Sequence, residues 1–140
     1  MYKKILFLYL IFSSPICFSQ QTQDKITLVC KGSDTGYKID LNSGKKTEFN
    51  DSVTQTYQIT NGRYHDMVCK FSEKSIWCHD EREGYVMGDS YLIRYYDITI
   101  DRYSGHIRDY TKEIMTSRGI KTELVKTIDG ICKKVTEKKF

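Results

Sequence analysis

Hydrophobic and polar positions alternate with period two over most of the chain, and no stretch carries a convincing long helical stripe. Period two sends successive side chains to opposite faces of a strand. The longest such run covers 91–102. Leu92, Arg94, Tyr96, Ile98 and Ile100 lie on one face, and Tyr91, Ile93, Tyr95, Asp97 and Thr99 on the other. The apolar face is clean at Tyr96, Ile98 and Ile100. Nearer the start both faces are partly apolar, which predicts a bulge or packing on both sides. Ser104-Gly105 turns the chain, and 107–115 returns with weaker alternation, with a short helix in 110–117 as the alternative.

Turn clusters punctuate the remainder. Ile26-Thr27-Leu28-Val29-Cys30 is a β-rich run stopped by Lys31-Gly32-Ser33-Asp34, and 36–41 is a second run ended by Asn42-Ser43-Gly44. Together they read as a first hairpin. Residues 47–49 add a poorly defined strand, separated by Asn50-Asp51-Ser52 from a clear one at 53–60. Asn61-Gly62 supplies a tight turn, because both residues accept positive φ. In 64–71, Met67, Cys69 and Phe71 share a face while Tyr64 is out of phase. With Glu73 and Lys74 as turn residues, Phe71 faces Ile76 and Cys69 faces Cys78, gathering an apolar patch with two thiols on one side. Trp77 then points the other way. Residues 79–88 are charged and punctuated by glycine, so they read as a loop with a brief strand at Tyr85-Val86-Met87. Arg118-Gly119 and Asp129-Gly130 mark turns around strands at 122–126 and 131–135. The sum is all-β: eight or nine short antiparallel strands in a meander that curls into a small barrel or a two-sheet sandwich.

The first residues stand apart from this pattern. Lys3 and Lys4 precede an apolar run at 5–12 that is too short to cross a bilayer as a helix, and small residues lead to a junction before Gln20. Residues 1–19 read as a secretory signal peptide and 20–140 as a single domain, with no transmembrane segment after cleavage; a retained anchor is the alternative. Acylation at Cys17 is disfavoured by Ile16 in front of it. Loss of Lys3 and Lys4 lowers the net charge from +4 to +2, too little for a dedicated nucleic-acid binder.

Cleavage also leaves Cys30, Cys69, Cys78 and Cys132. An even count in an exported chain of this size points to two disulfides. No two of these cysteines stand two to four residues apart, as a structural zinc site needs. Pairing 69 with 78 closes a local hairpin, and 30 with 132 ties the first strand to the last. The alternative is 30 with 69 and 78 with 132.

Leu28-Val29-Cys30, Ile98-Thr99-Ile100-Asp101-Arg102-Tyr103-Ser104-Gly105, and Gly130-Ile131-Cys132 with Lys138-Lys139-Phe140 carry a resemblance. The chain resembles a loose group of small, mostly uncharacterised exported bacterial proteins with an early Cys, an Ile-Asp-Arg-x-Ser/Thr-Gly turn and a late Gly-x-Cys. In that group the first and last cysteines occur without a middle pair, similar to the 30–132 pairing. The resemblance implies a periplasmic or secreted setting and no activity or cofactor. In size, export, β content and disulfides the chain is also similar to small periplasmic lysozyme inhibitors, but it lacks their inhibitory loop. Asn50-Asp51-Ser52 is a glycosylation sequon, meaningful only in a eukaryotic secretory route.

Candidate chemistry is thin. His79, Glu81, Arg82 and His106 could serve a small secreted hydrolase such as a ribonuclease, as acid, base and phosphate ligand, if the 79–83 segment folds over the Ser104-Gly105 turn. A metal site from His65, His79 and His106 with Asp66 or Asp80 is no better supported, and no nucleophile elbow, P-loop or HExxH pattern is present. No catalytic residue, metal or cofactor is assigned. Asp101 reads as the acceptor for backbone N–H groups of its own turn, and Gly105 as its positive-φ residue, with Arg102 stacking on Tyr103 or pairing with an acid. The aromatics exceed what a small core needs. Trp77, Tyr91, Tyr95, Arg102 and Tyr103 are therefore the candidate surface for a protein or glycan of the cell envelope. The reading is an exported, non-enzymatic binding or inhibitory module, with a structural envelope protein as the alternative.

Overall fold

Strand alternation runs straight through several residues that read as turns. The computed structural model describes residues 25–135. Residues 1–19, expected as a signal peptide, and Lys138-Lys139-Phe140 lie outside them. Eight antiparallel strands follow in order: β1 (Ile26–Asp40), β2 (Lys46–Thr60), β3 (Arg63–Tyr64), β4 (Met67–Phe71), β5 (Ser75–Met87), β6 (Ser90–Asp101), β7 (His106–Ser117) and β8 (Ile120–Lys134). Each pairs with its neighbour and β8 pairs with β1, so the meander is a closed barrel and not a sandwich.

Several expected breaks are strand interior. Lys31-Gly32-Ser33-Asp34 lies within β1, Asn50-Asp51-Ser52 within β2, and Asp129-Gly130 within β8. Gly32 and Gly130 stand opposite each other on the β1–β8 ladder. A Cβ on Gly32 would lie 2.0 Å from the Asp129 carbonyl oxygen, and one on Gly130 would lie 2.4 Å from the Lys31 carbonyl oxygen. These glycines mark close backbone approach, not a turn. Residues 79–87, expected as a loop, continue β5, with a register shift between Tyr85 and Met87. The stretch 110–117 is strand throughout. Tyr64 is out of phase because a turn at His65 and Asp66, with His65 at φ 50°, separates β3 from β4.

Positive φ marks most of the true turns: Gly44, Asn61-Gly62, His65, Gly88, Gly105 and Arg118-Gly119. Register follows from them. Cys69 faces Cys78 and Phe71 faces Ile76, as the Glu73-Lys74 turn requires, while Cys30 faces Cys132. Both disulfides form on these rungs, Cys30–Cys132 and Cys69–Cys78.

The wall is complete at one end only. β3 reaches β2 through Ile59 and Thr60, and β4 reaches β5 through 76–79. Beyond that hairpin, among the described residues, 46–58 of β2 pair with β1 alone and 80–87 of β5 with β6 alone. A slot therefore opens between β2 and β5. At the closed end the interior is apolar, with Tyr57, Ile98, Ile107 and both cystines buried together. At the open end the inward positions carry Asp34, Arg82, Arg94, Glu113 and Lys126, joined as the ion pairs Lys126–Asp34 at 3.0 Å and Arg94–Glu113 at 2.6 Å.

The two crosslinks should differ in weight. Cys30–Cys132 spans 102 residues and Cys69–Cys78 spans 9, so chain entropy assigns about 4–5 kcal/mol to the first and about 3 kcal/mol to the second. Replacing each pair by serine and measuring urea unfolding should reproduce that order; the reverse order would show that the β1–β8 seam is not the controlling constraint. Gly105, at φ 72° with a Cβ position 2.6 Å from the Cys132 carbonyl oxygen, should lose about 1–3 kcal/mol on substitution by alanine. An unchanged melting temperature would contradict that.

Candidate binding face

Because Cys78 and Ile98 point into the core, their strand neighbours point outward, and on β5–β7 those neighbours are aromatic. Trp77 stacks on His79 with ring centres 5.4 Å apart, His79 meets Tyr95 edge-on at 5.0 Å, and Tyr95 meets Tyr110 at 5.9 Å. The row crosses three strands. Trp77 is half-buried, and its indole N–H donates to Asp97 Oδ2 at 2.7 Å. His79 Nδ1 lies 3.5 Å from the same oxygen, too far and too poorly aligned for a hydrogen bond. The Lys70 ammonium sits 5.2 Å above the Trp77 ring. Towards the open end Tyr91 packs edge-on against Tyr85 at 5.1 Å and donates its hydroxyl to Glu83.

Trp77, Tyr91 and Tyr95 thus share one outer face. Arg102 and Tyr103 do not belong to it; they sit in the β6–β7 turn at the closed end. Arg102 Nη1 donates to the Ser72 carbonyl at 2.7 Å and its N–H donates to Lys74 O at 2.8 Å. The guanidinium therefore ties two turns together, in place of the expected stack on Tyr103 or acidic partner. The Tyr103 hydroxyl is 3.4 Å from Glu73. Asp101 Oδ1 accepts from the N–H groups of Ser104 and Tyr103 and from the Ser104 hydroxyl, at 2.7, 3.0 and 2.8 Å. Those bonds, Ser104's first, hold its carboxyl below the usual range. Sequence reasoning missed His79 as a member of the face. Parity with Trp77 places His79 there, but that signal disappears once 79–88 is taken for a loop.

The hydrolase set does not converge. His79 and Glu81 point outward, Arg82 points into the slot, and His106 lies at the closed end with Nε2 3.0 Å from Asp129. His65 packs edge-on against Tyr64. Among the described residues no group of three or more His, Cys, Asp or Glu side chains could hold a metal ion.

Inside the slot lies a cavity of about 230 Å³, lined in part by Tyr64, Asp66, Asp80, Arg82, Arg94 and Tyr96. Arg82 and Arg94 are direct cross-strand partners, an unfavourable like-charge pairing on its own. Asp80 holds Arg82 Nε at 2.6 Å and Glu113 holds Arg94 Nε at 2.6 Å, which offsets it. The floor is polar as well as buried. Asp109 is 2% exposed and accepts from the Tyr57 hydroxyl at 2.7 Å. Burial pushes the Asp109 carboxyl up, against the Tyr57 hydrogen bond and the Lys126 charge. Tyr96 is pushed up to about 12, by burial first and by the Asp109 charge next. The charges of this interior are paired with one another.

Comparison with protein-family models, with curated proteins and with solved structures gave no match.

The raised carboxyl makes a pH prediction. The folded state holds the Asp109 proton more tightly than the unfolded chain does, so its contribution is most favourable below the ordinary carboxylate pKa and is lost as pH rises through the folded value. Asp109→Asn keeps an acceptor for Tyr57 and removes the charge. Its stability relative to wild type should rise as pH climbs above the ordinary carboxylate value of about 4. A difference independent of pH in denaturant titrations would contradict the assignment.

Proposed function

We propose that the chain is an exported, non-enzymatic binding module of the cell envelope that presents the outer face of β5–β7 to a protein or glycan partner. One observation carries this reading: the continuous row Trp77–His79–Tyr95–Tyr110 on the outside of an already closed barrel. A folded domain gains little from aromatic rings placed on its solvent side, whereas rigid rings with polar tips are what recognition surfaces use. The row is fixed before any partner arrives, because Asp97 holds the indole and each ring rests on the next. Ile93 and Tyr95 remain open to solvent beside it. A polar rim of Glu81, Asp97, Lys70 and Lys112 surrounds it, as at binding sites with a desolvated centre.

The dispersal of His79, Glu81, Arg82 and His106 leaves the hydrolase alternative without a site to act from. A purely structural envelope role predicts no dependence on the face. Immobilised exported protein should retain a defined envelope component, and Trp77→Ala should lower that retention at least about tenfold, the size expected of a hot-spot residue, with an unchanged melting profile. Equal recovery by wild type and variant, or recovery of nothing, would overturn the proposal.

A further inference from the structure

The open end of the barrel has a different surface from the aromatic face. Three turns meet there: β1–β2 at 41–45, β5–β6 at 88–89 and β7–β8 at 118–119. They are pinned together. Leu41 N–H donates to Lys121 O at 2.8 Å, Lys121 N–H to Asn42 Oδ1 at 2.9 Å, and Asn42 Nδ2 to Gly119 O at 2.9 Å. Ser90 and Ser117 join the β5–β6 turn to the same rim through their hydroxyls at 2.8 Å. The rim is therefore a single platform rather than three separate loops.

Its outward tips are apolar. Tyr85 is 78% exposed and Met87 80%, with Val86, Ile120 and Leu41 also exposed. Met87 and Ile120 overhang a basin of about 630 Å³ at the barrel mouth, together with Met115, Lys38 and Arg118. Between the apolar tips stand Lys38, Lys45, Arg118 and Lys121, with no ion-pair partner among the described residues; Lys46 is taken by Glu48 at 2.6 Å. The acidic residues of the rim are Asp40 and Asp89. Asp40 is occupied by its own turn, accepting from the N–H groups of Asn42 and Ser43 at 2.8 and 3.2 Å.

We infer that this rim docks on the surface of a lipid bilayer carrying anionic headgroups. Exposed apolar side chains on turn tips, backed by lysine and arginine, suit shallow insertion at the boundary between headgroups and acyl chains. The basic residues add attraction to negatively charged lipid. Large apolar side chains concentrated at one end of a domain need such an explanation, whereas scattered ones do not. The tips form a ring around an open basin instead of a flat or grooved face, which fits a deformable lipid surface better than a protein. Docked in this way, the barrel stands with its axis along the membrane normal and keeps the Trp77–Tyr95 row on its side, free for a second partner. The inference is independent of what that row binds.

The test is flotation of the exported protein, its N-terminus defined by mass spectrometry, with vesicles of phosphatidylcholine alone or with about one third phosphatidylglycerol. At least about tenfold more protein should float with the anionic vesicles, and high salt should reduce the difference. Met87→Asp with Ile120→Asp should abolish flotation. Arg118→Glu with Lys121→Glu should bring it down to the level with neutral vesicles, and Trp77→Ala should leave it unchanged. The rim side chains are exposed, so unchanged melting profiles should accompany both rim double variants. No flotation, or flotation that survives both rim double variants, overturns the inference. So does a rim variant that changes the oligomeric state without lipid, or that loses an envelope protein while keeping its lipid binding, because the rim would then be a protein interface.

Discussion

The barrel depends on β1 lying close enough to β8 to close the sheet. Closing a sheet of few strands bends and coils each strand strongly, and bulky residues resist that at the seam. Gly32 and Gly130 face each other where the two backbones come nearest, and no Cβ fits at either position. The Cys30–Cys132 bond lies two rungs away on the same inward face. Gly105 holds the seam from β7: its carbonyl accepts from the Cys132 N–H at 2.8 Å. Asp101, by building the turn that delivers Gly105, is part of the same closure. The turn that Asp101 and Gly105 build thus serves topology.

Closure at one end sets the polarity of the other. The short β3–β4 hairpin seals the wall over the apolar half, where both disulfides and the buried isoleucines lie. Above it the slot admits water, so inward positions can carry charge without full desolvation, and Asp34, Arg82, Arg94 and Glu113 do. Deeply buried ions would be expensive even when paired; at the slot they are only partly buried. Asp109 lies at the boundary, fully inside, and its burial outweighs the Tyr57 hydrogen bond, which is why its proton is held tightly.

Much of this was legible from period two and from turn chemistry. Asn61-Gly62 and Arg118-Gly119 announced their turns by residues that accept positive φ, and the Glu73-Lys74 turn placed Cys69 against Cys78 from sequence alone. What misled was reading every glycine or polar cluster as a break. Gly32, Gly130 and the Asn50-Asp51-Ser52 run are strand interior, because long coiled strands of a barrel need glycine for close approach and exposed strands accept polar residues on both faces. The charged 79–87 segment looked like a loop for a related reason: its inward side faces a slot that no local pattern reveals. Losing that strand hid His79 from the aromatic face. The split of Arg102 and Tyr103 from Trp77 and Tyr95 needed three dimensions, since the β6–β7 turn lies at the end of the barrel away from the rim.

The outer aromatics pose a last question, because rings at the open half could merely replace packing that the charged interior gave up. The two sides of the wall answer it differently. Over β8 and β1 the Tyr37 ring is sealed by its neighbours: its hydroxyl donates to Glu123 at 2.8 Å, Lys112 lies 3.4 Å from the same carboxylate, and Lys46 sits 4.5 Å above the ring. Long charged side chains laid over rings shield apolar area from water. Over β5 and β6 no such cover exists at Ile93 and Tyr95, which stay exposed between Trp77 and Tyr91. Packing accounts for Tyr37. The exposed Ile93 and Tyr95 stand on β6, next to the β5 strand that borders the slot.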